Sequence, residues 1–479
     1  MEESRGKPHA IMIAFLYQGH ITPFTNLAIK LASKDFIVTF VHTEYVHHML
    51  SQSHHNDSSA PFDFFRDARK SGLDMRYTTI SDGFPTEFDR LLNLEEFWDS
   101  LLRDFPVRVD ELVGKIIQSD PSSVHFLIAD TFYSWPAKIA KKYNLVSVSM
   151  WTETALVFSI AYHLKLLKEN DHFPPMDNSE DFVNYIPGVQ SISTKDLMSY
   201  CVAANDPTTS IVYRIVFRAF EEVKKADFIL HNTVHELESE TLLALDQKQP
   251  NYAIGPINFY DCARSTTMAD SLFSKSDCTE WLDSKPPRSV MYVSFGSLVQ
   301  TSKQIIEEIA HGLLLSEVNF IWIVRADAVS YSDTVVLPME FMNEIKDKGL
   351  IIPWCNQTEV LSNPAVGGFT THCGWNSILE SIWSGVPMIC YPVTYDQPTN
   401  RKLVVDDWKI GINLCDGISV TREEVAYKIK NLMSGETSNG LRQEIEKMRK
   451  ILQDALKIDG SSERYFDQFL KDLKDKILA

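Results

Sequence analysis

Apolar positions along this chain follow two periods. Short runs rich in β-branched and aromatic residues alternate with longer stretches in which apolar residues recur every three or four positions. The runs at residues 10–17, 36–42, 73–80, 124–129 and 145–150 read as strands, and the stretches at 22–33, 94–118, 134–142 and 154–170 as helices between them. Continuous rather than alternating apolar runs indicate strands covered on both faces, as parallel strands are when helices pack on them. The alternation therefore predicts βαβ units and a mostly parallel sheet. It pauses near Gly255-Pro256, crosses a polar segment at 261–288 with one short helix at 278–283, and resumes after Lys285-Pro286-Pro287-Arg288. Strands at 289–295, 319–324, 349–352, 367–371 and 387–391 then alternate with helices at 303–315, 376–383, 399–407 and 422–434. Charged amphipathic helix at 440–457 and 462–476 closes the chain.

The pattern divides into an N-terminal domain at 1–250, a linker at 251–288, a C-terminal domain at 289–457 and a last helical segment at 458–479, expected to pack back on the first domain. Both domains read as doubly wound α/β layers. The polar stretch at 51–72 reads as a mobile loop and 327–334 as a shorter one.

Composition narrows the function classes. The 479 residues exceed one typical core, and 44% hydrophobic with 23% charged residues is ordinary for a globular protein. A formal charge of −18 repels phosphate backbones and anionic headgroups, which argues against nucleic acid and membrane as partners. Bound anions must then be held by local dipoles against the global field. No apolar run is long enough to span a bilayer. The seven scattered cysteines include no CxxC pair, which fits free thiols in a reducing compartment, hence a cytoplasmic location. A monomer is the default expectation.

Ligands of open α/β sheets bind at the carboxyl ends of the strands, so polar residues there are the candidates. His20 follows the first strand and Asp130 the fourth. An imidazole near neutrality accepts a hydroxyl proton, and a carboxylate on its other nitrogen sets the tautomer and stabilises the cation. Thr371-His372-Cys373-Gly374-Trp375-Asn376-Ser377 followed by Glu380 reads as strand, tight turn and helix start. The unpaired N–H groups of such a start suit a phosphate, and Glu380 shares a helix face with Asn376 and Ser377. Gly296-Ser297 forms a second strand–helix turn, and Asp396-Gln397 follows the strand at 387–391. Taken singly each has a plainer reading: Ser297, Asn376 or Ser377 as helix caps, Asp396 likewise, Trp354 as core packing. GxGxxG is absent after both first strands, and no Walker sequence occurs there.

The joint spacing carries more. Trp354 to Gln397 spans 44 residues, WCNQTEVLSNPAVGGFTTHCGWNSILESIWSGVPMICYPVTYDQ. This run resembles the signature box of plant family-1 UDP-sugar glycosyltransferases, and the likeness extends to Gly19-His20 with Pro23, to Asp130, to Gly255-Pro256 and to Val293-Ser294-Phe295-Gly296-Ser297. The resemblance implies a GT-B fold, two doubly wound Rossmann-like domains facing across a cleft, with the donor held mainly by the C-terminal domain. It implies Trp354 stacked on uracil, the Cys355 backbone on the uracil edge, Gln357 and Glu380 on the ribose, and Ser297, His372, Asn376 and Ser377 on the diphosphate. It places Trp375, Asp396 and Gln397 on the sugar hydroxyls, with Thr152 reaching the sugar from the N-terminal domain. His20 would be the general base and Asp130 its partner. In this family Trp375 with Gln397 tends to go with glucose as donor, a xylosyl or galactosyl donor being the alternative.

The implied reaction is inverting transfer of glucose from UDP-glucose to a hydroxyl of a phenolic, terpenoid or similar small molecule, with UDP-glucose as co-substrate, no cofactor and, with no DxD motif, no metal. The family usually has Ala-Pro where this chain has Cys355-Asn356, which loosens the loop and leaves the backbone contact in place. Phe84, Phe132, Trp151, Met198 and Tyr395 are the candidate acceptor-pocket residues. Two rival classes are a silent UDP-sugar-binding regulatory protein, against which the His20–Asp130 pair counts, and an NAD-type oxidoreductase, against which the absent dinucleotide fingerprint counts.

Overall fold

The computed structural model describes residues 6–53, 62–173, 181–202, 210–260, 271–298, 300–325, 337, 339–417 and 419–478. The segment read as a loop at 327–334 lies outside them, as do residues 54–61 of the segment at 51–72. What is described of the latter is helical at both ends, Glu44–Ser53 and Arg66–Lys70.

Two compact units make up the chain. The first comprises Met1–Thr194, Tyr200–Phe273 and Asp454–Ala479, and the second Lys195–Ser199 and Ser274–Gln453. Each is a parallel α/β layer structure of Rossmann type.

The strands of the first unit are β1 (Pro8–Ile13), β2 (Ile37–Thr43), β3 (Met75–Ile80), β4 (Val124–Asp130), β5 (Val146–Trp151), β6 (Phe182–Val183), β7 (Ile192–Ser193), β8 (Phe228–His231) and β9 (Asn251–Ala253). Seven form one sheet in the order β3-β2-β1-β4-β5-β8-β9, and β6 with β7 forms a small antiparallel pair. Every ladder of the large sheet is parallel. All residues of β2 and β5 are buried, and apart from His42 they are apolar or carry small hydroxyls on both faces. Strand order reverses direction at β1/β4, where Ile13 lies beside Ala129.

The second unit holds β10 (Val290–Ser294), β11 (Asn319–Ile323), β12 (Gly349–Ile352), β13 (Val366–Thr371), β14 (Met388–Cys390) and β15 (Gly411–Asn413), in the order β12-β11-β10-β13-β14-β15. Here the reversal falls at β10/β13. Such reversals open a crevice at the strand carboxyl ends, because the following helices leave on opposite faces.

Several expected elements differ. The helix read at 94–118 is two, Leu94–Arg103 and Phe105–Ser119, because Pro106 has no N–H for the Leu102 carbonyl. The helix read at 154–170 breaks at His163, whose ring nitrogen bonds the Ser159 carbonyl 2.8 Å away. Strands β8, β9 and β15 have too few residues to show a period and went unread. The linker was expected from 251, yet β9 pairs with β8 inside the first sheet.

The helix Ser461–Leu478 belongs to the first unit. Lys30, fully buried, meets Glu463 at 2.5 Å, and the Tyr252 hydroxyl donates to Asp472 at 2.7 Å. Phe469 packs edge-on against Phe228 and Tyr252.

Candidate functional site

In the first unit the chain leaves β1 at Ile13 and enters the helix Gln18–Ser33 through Tyr17, which is extended. His20 was expected at a strand end; it sits in the first turn of this helix, its N–H on the Tyr17 carbonyl at 2.9 Å. Pro23 lies in the second turn and removes only the bond to Gly19. Asp130 is the last residue of β4, and Thr152 follows β5. Three neighbouring strands thus bring these side chains together at the reversal.

His20 Nδ1 lies 2.7 Å from Asp130 Oδ2 and 3.0 Å from Thr152 Oγ1. The other Asp130 oxygen accepts the Phe132 N–H at 3.0 Å, so this buried carboxylate is satisfied as an anion. An Nδ1–H shared between Asp130 and Thr152 puts the imidazole lone pair on Nε2. The rings of Phe15 and Phe132 flank His20 at 5.4 Å each. The arrangement can accept a proton at Nε2 and spread the resulting charge onto Asp130.

In the second unit β13 delivers His372, and Cys373 takes a left-handed φ of 68° before the helix Trp375–Ser384. Gly374 is the N-cap, with no side-chain cap bond, and the positive end of the helix dipole lies at this turn. Asn376 and Ser377 lie in that first turn. Gln357 Nε2 donates to Ser377 Oγ at 2.9 Å and to Glu380 Oε2 at 2.7 Å, while its carbonyl accepts from the Tyr292 hydroxyl at 3.2 Å. Trp354 is half-buried and its carbonyl accepts the Ser276 N–H at 2.9 Å; Cys355 is buried against Tyr292.

The turn after β10 closes the other side of the reversal. Gly296 has a φ of +74°, and a Cβ there would stand 2.5 Å from the His372 ring. His372 is buried, and burial, with the charge of Arg325, pulls the imidazole pKa to about 4 against a main-chain hydrogen bond at Ser294, so the ring is neutral.

The matching family model, described as UDP-glucoronosyl and UDP-glucosyl transferase, covers residues 246–454. UDP-glycosyltransferase 86A1 of Arabidopsis thaliana is 51% identical, across 100% of this chain and 97% of its own length. A 7-deoxyloganetin glucosyltransferase of Catharanthus roseus is 34% identical, over 98% and 97%. UGT71G1 of Medicago truncatula, solved with UDP-glucose, superposes with a TM-score of 0.79 at 25% identity, covering 99% of this chain and 100% of that one.

The chain belongs to the UDP-glycosyltransferase family.

It is a UDP-sugar glycosyltransferase of GT-B fold, and its expected site residues gather in two groups. His20, Asp130 and Thr152 meet in the first unit; Gln357, Ser377 and Glu380 bond directly in the second, beside Tyr292 and Cys355. Asp396 Oδ2 holds Asn400 at 2.5 Å, and Gln397 Oε1 accepts the Val393 and Thr394 N–H groups, leaving its amide nitrogen to donate. Trp375 is buried, its ring centred 6.2 Å from that of Trp408.

The apolar candidates scatter. Phe132 lies beside His20, but Trp151 is fully buried behind it, its indole N–H on the Thr154 carbonyl at 2.7 Å. Phe84 stacks on Phe88 at 4.2 Å. Met198, fully buried, and Tyr395 belong to the second unit; Ser199 and Tyr395 exchange hydrogen bonds of 2.7 and 2.9 Å. Sequence reasoning missed Tyr292, Arg325 and the Thr152–His20 contact. A lone arginine ending the apolar run FIWIV was the available signal for Arg325.

Proposed function

We propose that this glycosyltransferase moves glucose from UDP-glucose to a hydroxyl of a small, largely apolar acceptor, giving a β-O-glucoside. The observation that carries the reading is the 2.7 Å contact between His20 Nδ1 and the buried Asp130 carboxylate, with Nε2 left as the base. His20 Nε2 takes the acceptor proton as its oxygen attacks the anomeric carbon opposite UDP. Asp130 stabilises the imidazolium, an arrangement worth about 10² to 10⁴ in rate. One displacement with one base inverts the anomeric centre and needs no enzyme nucleophile.

The departing UDP gathers negative charge on its β-phosphate. The uncapped start of Trp375–Ser384, with Ser377 and the neutral His372, receives that charge. Gln357 and Glu380 hold the ribose diol, Trp354 stacks on uracil over the Cys355 main chain, and Asp396, the Gln397 amide and the Thr152 hydroxyl meet the sugar. Phe15 and Phe132 beside His20 favour a ring-bearing phenolic or terpenoid alcohol; the relative from Catharanthus roseus is named for a glucosyl transfer to 7-deoxyloganetin. The reaction proceeds without a metal, and the chain works as a monomer in the cytoplasm. Among the described residues no helix is long and apolar enough to cross a membrane.

The test is turnover of a phenol and terpenol library with UDP-glucose, read by mass spectrometry, with the anomeric proton coupling read by NMR. Release of UDP with an axial anomeric proton supports the reading. UDP binding with no transfer to any acceptor identifies a silent binding protein, and an α-glucoside refutes the single displacement. Full activity in EDTA is expected, and loss restored by magnesium or manganese refutes metal independence.

A further inference from the structure

Arg325 stands just beyond β11, beside the β10 turn, and is 6% exposed. Burying a guanidinium is costly unless its N–H groups meet acceptors. One of them, Nη1–H, is donated to the Gly296 carbonyl. In a trans peptide the C=O and the following N–H point in opposite directions. A Gly296 carbonyl held toward Arg325 therefore turns the Ser297 N–H away from it. The left-handed φ of Gly296 allows this orientation, and the His372 ring occupies the space a side chain would need. Arg325, the Gly296 turn and His372 are thus layered at the carboxyl ends of β11, β10 and β13, three neighbouring strands. A cation on the carbonyl also polarises that peptide and makes its N–H the stronger donor.

We propose that Arg325 is a positioning residue for the donor's diphosphate: it grips the Gly296 carbonyl from behind, aims the Ser297 N–H at the phosphates, and supplies the turn with a fixed positive charge in a strongly acidic chain. The role rests on the UDP-sugar reading above. A lysine keeps the charge but lacks the planar fork of donors, so it restores part of the function.

Calorimetric titration of the full-length protein with uridine, UMP and UDP tests this in wild type, Arg325→Met and Arg325→Lys. For Arg325→Met the expected result is UDP binding weakened about twentyfold with uridine changed less than about twofold, and kcat/KM for UDP-glucose lowered with UDP affinity. Arg325→Lys should fall between. Parallel loss of uridine and UDP would make Arg325 merely structural, and unchanged UDP affinity would remove the role; both overturn the proposal. Should Arg325→Met not fold, a UDP-to-uridine affinity ratio in Arg325→Lys equal to that of wild type overturns it too. Wild type that binds no UDP sinks the donor reading itself, a result separate from any effect of the substitutions.

Discussion

The two strand reversals are built from different materials. At β1/β4 the proposed chemistry is carried by side chains: an imidazole, a carboxylate and a hydroxyl from positions 20, 130 and 152, joined by contacts of 2.7 and 3.0 Å. At β10/β13 much of it is carried by main chain: an uncapped helix start, a left-handed glycine turn and the left-handed Cys373. A base needs one nitrogen with one tautomer, and a side-chain dyad provides it. A diphosphate presents many acceptor oxygens, and a fan of N–H groups meets them without adding net charge. The first design fails by losing a proton acceptor, the second by losing a backbone path.

That contrast is open to attack, and the largest effect is expected at the base. His20→Ala should lower kcat about thousandfold with UDP affinity unchanged in calorimetry; wild-type turnover would remove His20 from the mechanism. Gly296→Ala attacks the backbone path instead, forcing a Cβ to within 2.5 Å of His372 at a φ of +74°. UDP affinity should fall about a hundredfold while the His20–Asp130 pair stays intact, and unchanged affinity would show that the turn is not part of the donor site. Asp130→Asn should reduce kcat by about one to two orders of magnitude and leave UDP binding alone, since it disturbs tautomer and charge but not the donor unit. Glu380→Ala should weaken UDP about tenfold and uridine equally, because it acts at the ribose; a loss confined to UDP would move Glu380 to the phosphates.

The mildest test is acid. His9, His42 and His231 of the first unit are buried, and desolvation is the main cause that lowers their pKa values from 6.5 to about 4, 3 and 4; the second unit has His372 at about 4. Because these folded values lie below the unfolded one, the unfolded chain binds more protons as pH drops under 6.5. The stability from keeping the rings neutral is whole above that pH and disappears toward pH 4 and 3. The first unit, with more such histidines, should lose hydrogen-exchange protection first between pH 6.5 and 4; earlier loss in the second unit would contradict this.

The asymmetry also governed what could be read in advance. The run from Trp354 to Gln397 was legible as a family resemblance because its marker residues lie within one stretch of 44 residues at fixed spacing. His20 and Asp130 were named as candidates, yet the placement of His20 inside a helix depended on where that helix begins relative to Pro23. The apolar candidates were the least legible, because aromatic residues serve core and pocket alike; Trp151 and Met198 are fully buried. Arg325 escaped notice because its partner is a carbonyl 29 residues away, and carbonyls leave no mark in a sequence.

By itself, the sequence determined the α/β class and the two parallel layers, because periodicity and turn residues act over a few neighbouring positions, and its 44-residue run from Trp354 to Gln397 carried the resemblance to the family. The tertiary structure decided which strands stand side by side, that Lys30 and Glu463 tie the last helix to the first unit, and that Thr152 reaches His20. Those outcomes depend on packing between residues distant in the chain, 132 positions for Thr152 and His20 and 433 for Lys30 and Glu463, where the gain comes from burial and paired charge and not from any local preference of the chain.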